Sequence, residues 1–208
     1  WEQALKDETF SGFVARQKSA AVKELAERWM DRHLFTEASD LATLLPQDAA
    51  GSPEEASLAV ISSPAQQWKG AENSSKPKVS YYSGDADNLT AMSDWIEGHR
   101  FPGVWYLEAH NFFEFTHSER PCVLVAVGKE VSAELAAQIR GAQEAFKGSH
   151  YFGVLNGSQW SEELRVFNLL PEELPRILYA EKDFNMWVED VAQLRAESLE
   201  ADLRRFVS

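Results

Sequence analysis

The stretch Cys122-Val123-Leu124-Val125-Ala126-Val127 is the longest fully apolar run in this 208-residue chain, and what flanks it decides the fold. Six apolar residues are far short of the roughly 20 a membrane span needs; a run of this length reads as a buried strand. Downstream, Leu135, Ile139, Ala142 and Phe146 recur on one face of residues 131–147, which predicts a helix, and residues 150–155 form the next strand. Upstream, residues 104–107 read as a strand and residues 111–117 as a short helix carrying Phe112, Phe113 and Phe115. Further on, Ser161 is placed to cap a helix, with Glu162 and Glu163 at its positive end and Leu164, Phe167 and Leu170 on its inner face. Residues 176–180 and 184–188 read as a hairpin across an acidic turn, and a long helix over about 189–207 closes the chain. The order β-α-β-α-β-α-β-β-α implies an α/β unit whose sheet is largely parallel, made mixed by the final hairpin and covered on both faces.

Before this unit, Phe101-Pro102-Gly103 breaks the pattern and marks a boundary. In the first half, Val22, Leu25, Ala26, Trp29 and Met30 make one apolar stripe, so residues 18–32 read as an amphipathic helix. A short strand is expected at 33–36, then irregular chain with a short helix at 40–45. Strands follow at 57–61 and 78–82, close enough in sequence for an antiparallel hairpin. Asp87 is the expected cap of a last helix with Leu89, Met92, Trp95, Ile96 and His99 on one side.

Composition narrows the possible partners. The net charge of −13 is spread evenly: 16 acidic against 10 basic residues in 1–100, and 17 against 10 in 101–208. An even acidic surface repels phosphate backbones and argues against nucleic acid or anionic lipid as partner. The acidic pairs Glu54-Glu55, Glu162-Glu163 and Glu172-Glu173 are too sparse for a Ca²⁺ store. The single cysteine, Cys122, heads an apolar strand and reads as a buried, inert thiol. Asn73, Asn88 and Asn156 begin Asn-x-Ser/Thr triplets, which permit glycosylation in a secretory compartment. No apolar leader opens the chain at Trp1-Glu2-Gln3, and a start at Trp suggests a processed chain or an excised piece of a longer protein.

Three segments resemble the protein disulfide isomerase family. Leu89-Thr90-Ala91-Met92-Ser93-Asp94-Trp95-Ile96 with His99-Arg100-Phe101-Pro102 resembles the junction between two of its thioredoxin-like domains. Gln143-Glu144-Ala145-Phe146-Lys147-Gly148 and Tyr151-Phe152-Gly153-Val154-Leu155-Asn156-Gly157 look like the central helix and third strand of such a domain. Phe167-Asn168-Leu169-Leu170-Pro171-Glu172-Glu173-Leu174-Pro175 looks like the turn into the cis-proline before the fourth strand, which makes Pro175 the expected cis residue. The resemblance implies two tandem thioredoxin-like domains, each a mixed central sheet flanked by helices: 1–100 (b-type) and 101–208 (b′-type). Nothing before Val22 reads as the family's opening β-α-β segment, so the first domain is expected to be truncated or degenerate there. It also lacks a proline near Ala56-Ser57, where its own cis-proline would stand.

Thiol–disulfide exchange needs a low-pKa thiolate with a resolving partner at a helix N-terminus. In this family the pair would stand near Gly128-Lys129-Glu130-Val131, where there is no cysteine, and no Cys-x-x-Cys occurs anywhere in the chain. No catalytic residue and no cofactor are therefore expected, and no dinucleotide, Walker or Gly-x-Ser-x-Gly motif is present. His110 and His117, seven apart, would need further ligands to hold a metal. The family's substrate-binding domain has an apolar pocket between its first and third helices. By resemblance this implies Phe112 and Phe115 on one helix, and Leu164, Phe167 and Leu170 on the other, as a groove for apolar side chains of unfolded clients. The expected role is a non-catalytic, polypeptide-binding part of an isomerase of the endoplasmic reticulum lumen, spacing catalytic domains outside this chain. A stand-alone redox-inactive chaperone and an acidic calsequestrin-like Ca²⁺-binding protein are the competing readings.

Overall fold

The computed structural model describes residues 11–15, 19–29, 34–37, 56–62, 68, 70, 78–181 and 186–188. The chain divides into two compact units: Trp1–Gln66 with Ser75–Pro102, and Gln67–Ser74 with Gly103–Ser208.

The first unit runs β1 (Ser11–Ala15), α1 (Ala20–Trp29), β2 (Leu34–Glu37), β3 (Leu58–Ser62), β4 (Lys78–Tyr82) and α2 (Leu89–His99). Its sheet order is β2-β1-β3-β4, with β1 parallel to β2 and antiparallel to β3, and β3 antiparallel to β4. Because strand side chains alternate, Phe13, Ala15, Leu58 and Val60 pack with Val22, Leu25 and Trp29 of α1 and Met92 and Ile96 of α2. Val14, Ala59, Ile61 and Val79 form a second cluster with Ala56.

Two sequence expectations are corrected in this unit. Strand β1 lies before Val22, where no strand was expected; its apolar run is only Phe13-Val14-Ala15, too short to announce itself. The cap of α2 is Asn88, whose Oδ1 accepts the Ala91 N–H at 3.0 Å; Asp87 lies one residue outside the helix. At the end of α2, Arg100 is buried over the rings of Trp29 (5.1 Å) and Phe101 (4.6 Å), with Glu97 accepting from its guanidinium at 3.1 Å. The expected helix at 40–45 and closing helix at 189–207 lie outside the described residues.

The second unit runs β5 (Val104–Leu107), α3 (Ala109–Thr116), β6 (Cys122–Val127), α4 (Ala133–Phe146), β7 (Tyr151–Asn156), α5 (Ser161–Val166), a 3₁₀ turn (Pro171–Glu173), β8 (Arg176–Ala180) and β9 (Met186–Val188). Gly103 enters β5 at φ +77°, a conformation that costs a residue with a Cβ and explains the break after Phe101-Pro102. The sheet order is β5-β7-β6-β8-β9, with the first three strands parallel and the hairpin β8–β9 antiparallel. All six residues of β6 are buried. Val123, Val125 and Val127 pack with Ile139 and Ala142 of α4, joined by Phe152, Val154 and Ile177. Trp68 also belongs here: its N–H donates to the Val104 carbonyl at 2.8 Å and its side chain packs against the same cluster.

Gly153, in β7, makes room for α3. A Cβ built there would lie 2.5 Å from Leu107 Cδ1 and 3.2 Å from Phe115 Cε1, and both residues are fully buried. Gly153→Val should therefore cost about 1–3 kcal/mol through overpacking. Urea unfolding would show this as a lowered midpoint with an unchanged slope; an unchanged midpoint would contradict the close packing.

His150, entering β7, is 4% exposed and lies between the rings of Phe146 and Tyr179. Its Nδ1 is 2.8 Å from Ser149 Oγ, and its Nε2 has no hydrogen-bond partner among the described residues. Burial holds its pKa below the ordinary 6.5, because a desolvated imidazolium is disfavoured. The unfolded chain thus binds the proton more readily than the folded one. The contribution of His150 to stability is full above pH 6.5 and declines as the pH falls below it, toward the lowered folded-state pKa. His150→Phe should flatten that part of the stability–pH curve relative to wild type; superimposable curves would show that His150 does not couple folding to pH.

Candidate functional site

At the carboxyl ends of the parallel strands β5 and β7 lies a cleft of about 240 Å³ lined by Glu108, Ala109, Gln159, Trp160 and Glu163. Ligands of open α/β sheets bind at this end of the strands. One wall is the β5–α3 junction. Asn111, 5% exposed, locks it: its Nδ2 donates to the Tyr106 carbonyl at 3.1 Å, and its Oδ1 accepts the Glu108 N–H at 2.9 Å. The opposite wall is the turn from β7 into α5. There Asn156 Oδ1 accepts the Ser158 N–H at 3.0 Å, and the Gly157 N–H donates to the Val127 carbonyl at 2.8 Å.

Two contacts join the walls. The Trp160 indole N–H donates to the Leu107 carbonyl at 3.2 Å, and the Tyr106 hydroxyl donates to Gln159 Oε1 at 2.9 Å. The Phe112 ring stands 4.8 Å from that of Trp160, tilted by 38°. The result is an aromatic pair beside a cleft with carboxylates of Glu108 and Glu163 in its lining.

The expected groove residues divide into two sets. Phe112 and Phe167 are half-buried and Leu170 is exposed, so all three offer accessible surface. Phe115 and Leu164 are 0% and 4% exposed. This corrects their expected place in the groove: a side chain sealed in the core supports α3 and α5 from beneath and offers a ligand no surface. Exposed apolar surface appears instead at Phe113 (69% exposed) and Val166 (79%). Phe113 stacks on His117 at 3.8 Å. Ser161 is the first helical residue of α5 and Trp160 its N-cap, so Ser161 is not the cap expected.

Sequence reasoning missed Ala109, Gln159 and Trp160 as cleft residues and named Glu108 for no role there. The available signal was the turn sequence Asn156-Gly157-Ser158 at the end of a parallel strand, immediately before a Trp.

The Leu174–Pro175 peptide bond is cis. Leu174 packs against Gly157 at the end of β7, which puts the proline turn beside the end of the sheet. Of the triplet asparagines, Asn88 is exposed and Asn156 half-buried, while Asn73 lies outside the described residues. His110 Nδ1 is 3.5 Å from Glu108 Oε2. Among the described residues, no three His, Cys, Asp or Glu side chains are grouped to hold a metal ion, and no helix is long and apolar enough to cross a membrane.

Cys122 is fully buried at the start of β6, with its thiol donating to the Phe115 carbonyl at 3.1 Å. The segment where a thiol pair would stand, 128–131, is at the other end of the strand.

A mixed sheet in the order β5-β7-β6-β8-β9, helices on its faces and a cis-proline before β8 define a thioredoxin-like α/β protein. Residues 59–206 match the family model of the thioredoxin-like domain, and the chain belongs to that family. Solved structures share the fold. The bb fragment of ERp72 is 14% identical, with a TM-score of 0.63 over 99% of this chain and 92% of that one. Human ERp44 in its zinc-bound form is 19% identical, with a TM-score of 0.51 over 99% of this chain and 56% of that one. Both are protein disulfide isomerase family proteins. This chain thus spans little more than half the length of ERp44. No curated protein sequence is a match.

The position of Cys122 yields a direct test. A water-soluble disulfide reagent should leave the folded protein's thiol unmodified for hours and react with it stoichiometrically in denaturant. Prompt reaction in native buffer would contradict the closed packing around β6.

Proposed function

We propose that this chain is a tandem of two thioredoxin-like domains without thiol chemistry, and that its second domain holds unfolded or partner polypeptide at the cleft between α3 and α5. The tandem reading is supported by topology. The first unit's β1, α1, β2, β3 and β4 repeat the order, pairing and direction of β6, α4, β7, β8 and β9. Among the described residues the first unit has no counterpart of β5 and α3.

The observation that carries the binding role is the pairing of Phe112 and Trp160 at the cleft, with Phe113, Val166 and Leu170 exposed on the same two helices and the turn that follows. Exposed large apolar side chains and surface concavities are each characteristic of interaction sites. The one thiol is buried and the chain carries no second cysteine, so recognition rather than exchange is the chemistry the surface offers. The setting that fits is the lumen of the endoplasmic reticulum, as part of an isomerase-type protein whose catalytic domains lie outside this chain and are spaced by it.

Fluorescence anisotropy with a labelled peptide rich in aromatic and aliphatic residues tests this reading. Phe113→Ser with Leu170→Ser, both exposed positions, and separately Trp160→Ala should each weaken binding by about tenfold, the scale of an interface hot spot. The wild-type chain should not accelerate insulin reduction. Unchanged affinity in variants with native circular dichroism, or efficient insulin reduction, would overturn the proposal.

A further inference from the structure

The cleft's lining specifies more than apolarity. Two of its five lining residues are carboxylates, Glu108 from the β5–α3 junction and Glu163 from α5, and the other three carry no charge. Both glutamates are solvent-exposed. Arg165, two positions beyond Glu163, points about 200° away around the helix and is no part of the lining. Among the described residues, His110 is the one basic side chain beside either carboxylate, at 3.5 Å from Glu108. Beside this charge stand the rings of Trp160 and Phe112, whose π faces attract ammonium and guanidinium groups.

We propose that the cleft selects polypeptide segments in which an apolar side chain is flanked by lysine or arginine. This rests on the reading of the cleft as a peptide site. The apolar side chain lies against Trp160 and Phe112, and the flanking cation meets Glu108 and Glu163. Because the carboxylates are exposed, they remain solvated without ligand and lose little hydration on pairing, so their effect is on selectivity and association rate. An acidic segment is disfavoured twice, by these two groups and by the chain's net charge of −13.

The test uses the full chain and three labelled peptides with identical apolar residues and flanks of Lys/Arg, Gln or Glu. At low ionic strength the basic peptide should bind about tenfold tighter than the neutral one, and the acidic peptide weakest; added salt should compress the series. In Glu108→Gln/Glu163→Gln most of the basic advantage should be lost, while Glu130→Gln/Glu181→Gln, which removes the same net charge outside the lining, should retain it. A wild-type ratio near one, or an advantage that the Glu108/Glu163 variant keeps, would overturn the charge selection. The neutral peptide separates this failure from failure of the cleft reading. If its binding remains sensitive to Phe113→Ser/Leu170→Ser and Trp160→Ala, the cleft stands without charge selection. If those substitutions leave it unchanged, the site itself is wrong and the selection falls with it.

Discussion

The second unit is organised around one constraint: β6 is apolar on both faces and must be hydrogen-bonded along both edges. All six of its buried residues are paired with β7 in parallel, and Cys122 through Ala126 with β8 in antiparallel register. A parallel neighbour requires a crossover, and α4 supplies it, packing Ile139 and Ala142 onto the odd-numbered valines. β7 pairs with β5 on its far side, and the hairpin β8–β9 closes the other. Burying a backbone this completely is tolerable only when its N–H and C=O groups are all satisfied, so the register of the whole sheet follows from the central strand.

The cleft is a consequence of that sheet. Parallel strands bring their carboxyl ends together, and the chain must leave each in a loop before the next helix. Here the loops after β5 and β7 meet through bonds from Trp160 to Leu107 and from Tyr106 to Gln159, each spanning 53 residues of sequence. Asn111 ties the first loop by bonding both the Tyr106 carbonyl and the Glu108 N–H. The aromatic pair and the carboxylates are thereby held by backbone geometry, and a site built this way keeps its shape before a ligand arrives. Cys122 belongs to the same sheet, yet at the opposite end of β6, where its role is packing.

Much of this architecture was legible from the pattern of apolar residues. The run 122–127, the stripe of α4 and the strand entering at Tyr151 carried the crossover unit, because a fully apolar short run and a helical period are strong local signals. Strand β1 was illegible: three consecutive apolar residues after Ser and Gly carry no period, and pairing with β2 and β3 makes it a strand. The candidate site was only half legible. Phe112, Phe167 and Leu170 could be named from helix faces, but Phe115 and Leu164 share those faces and are sealed in the core. Periodicity locates a face; it does not say how far the neighbouring element covers it.

The sequence alone determined the order of the described elements of the second unit and the absence of a Cys-x-x-Cys pair, since both are properties of local composition. It also determined the acidity. Tertiary structure decided what is accessible. It brought Trp160 and Glu163 to Glu108 across more than fifty residues, and it divided five similar apolar side chains into core and surface. Burial and convergence depend on which strand ends become neighbours, and that follows from the pairing of distant segments, which no window of sequence contains.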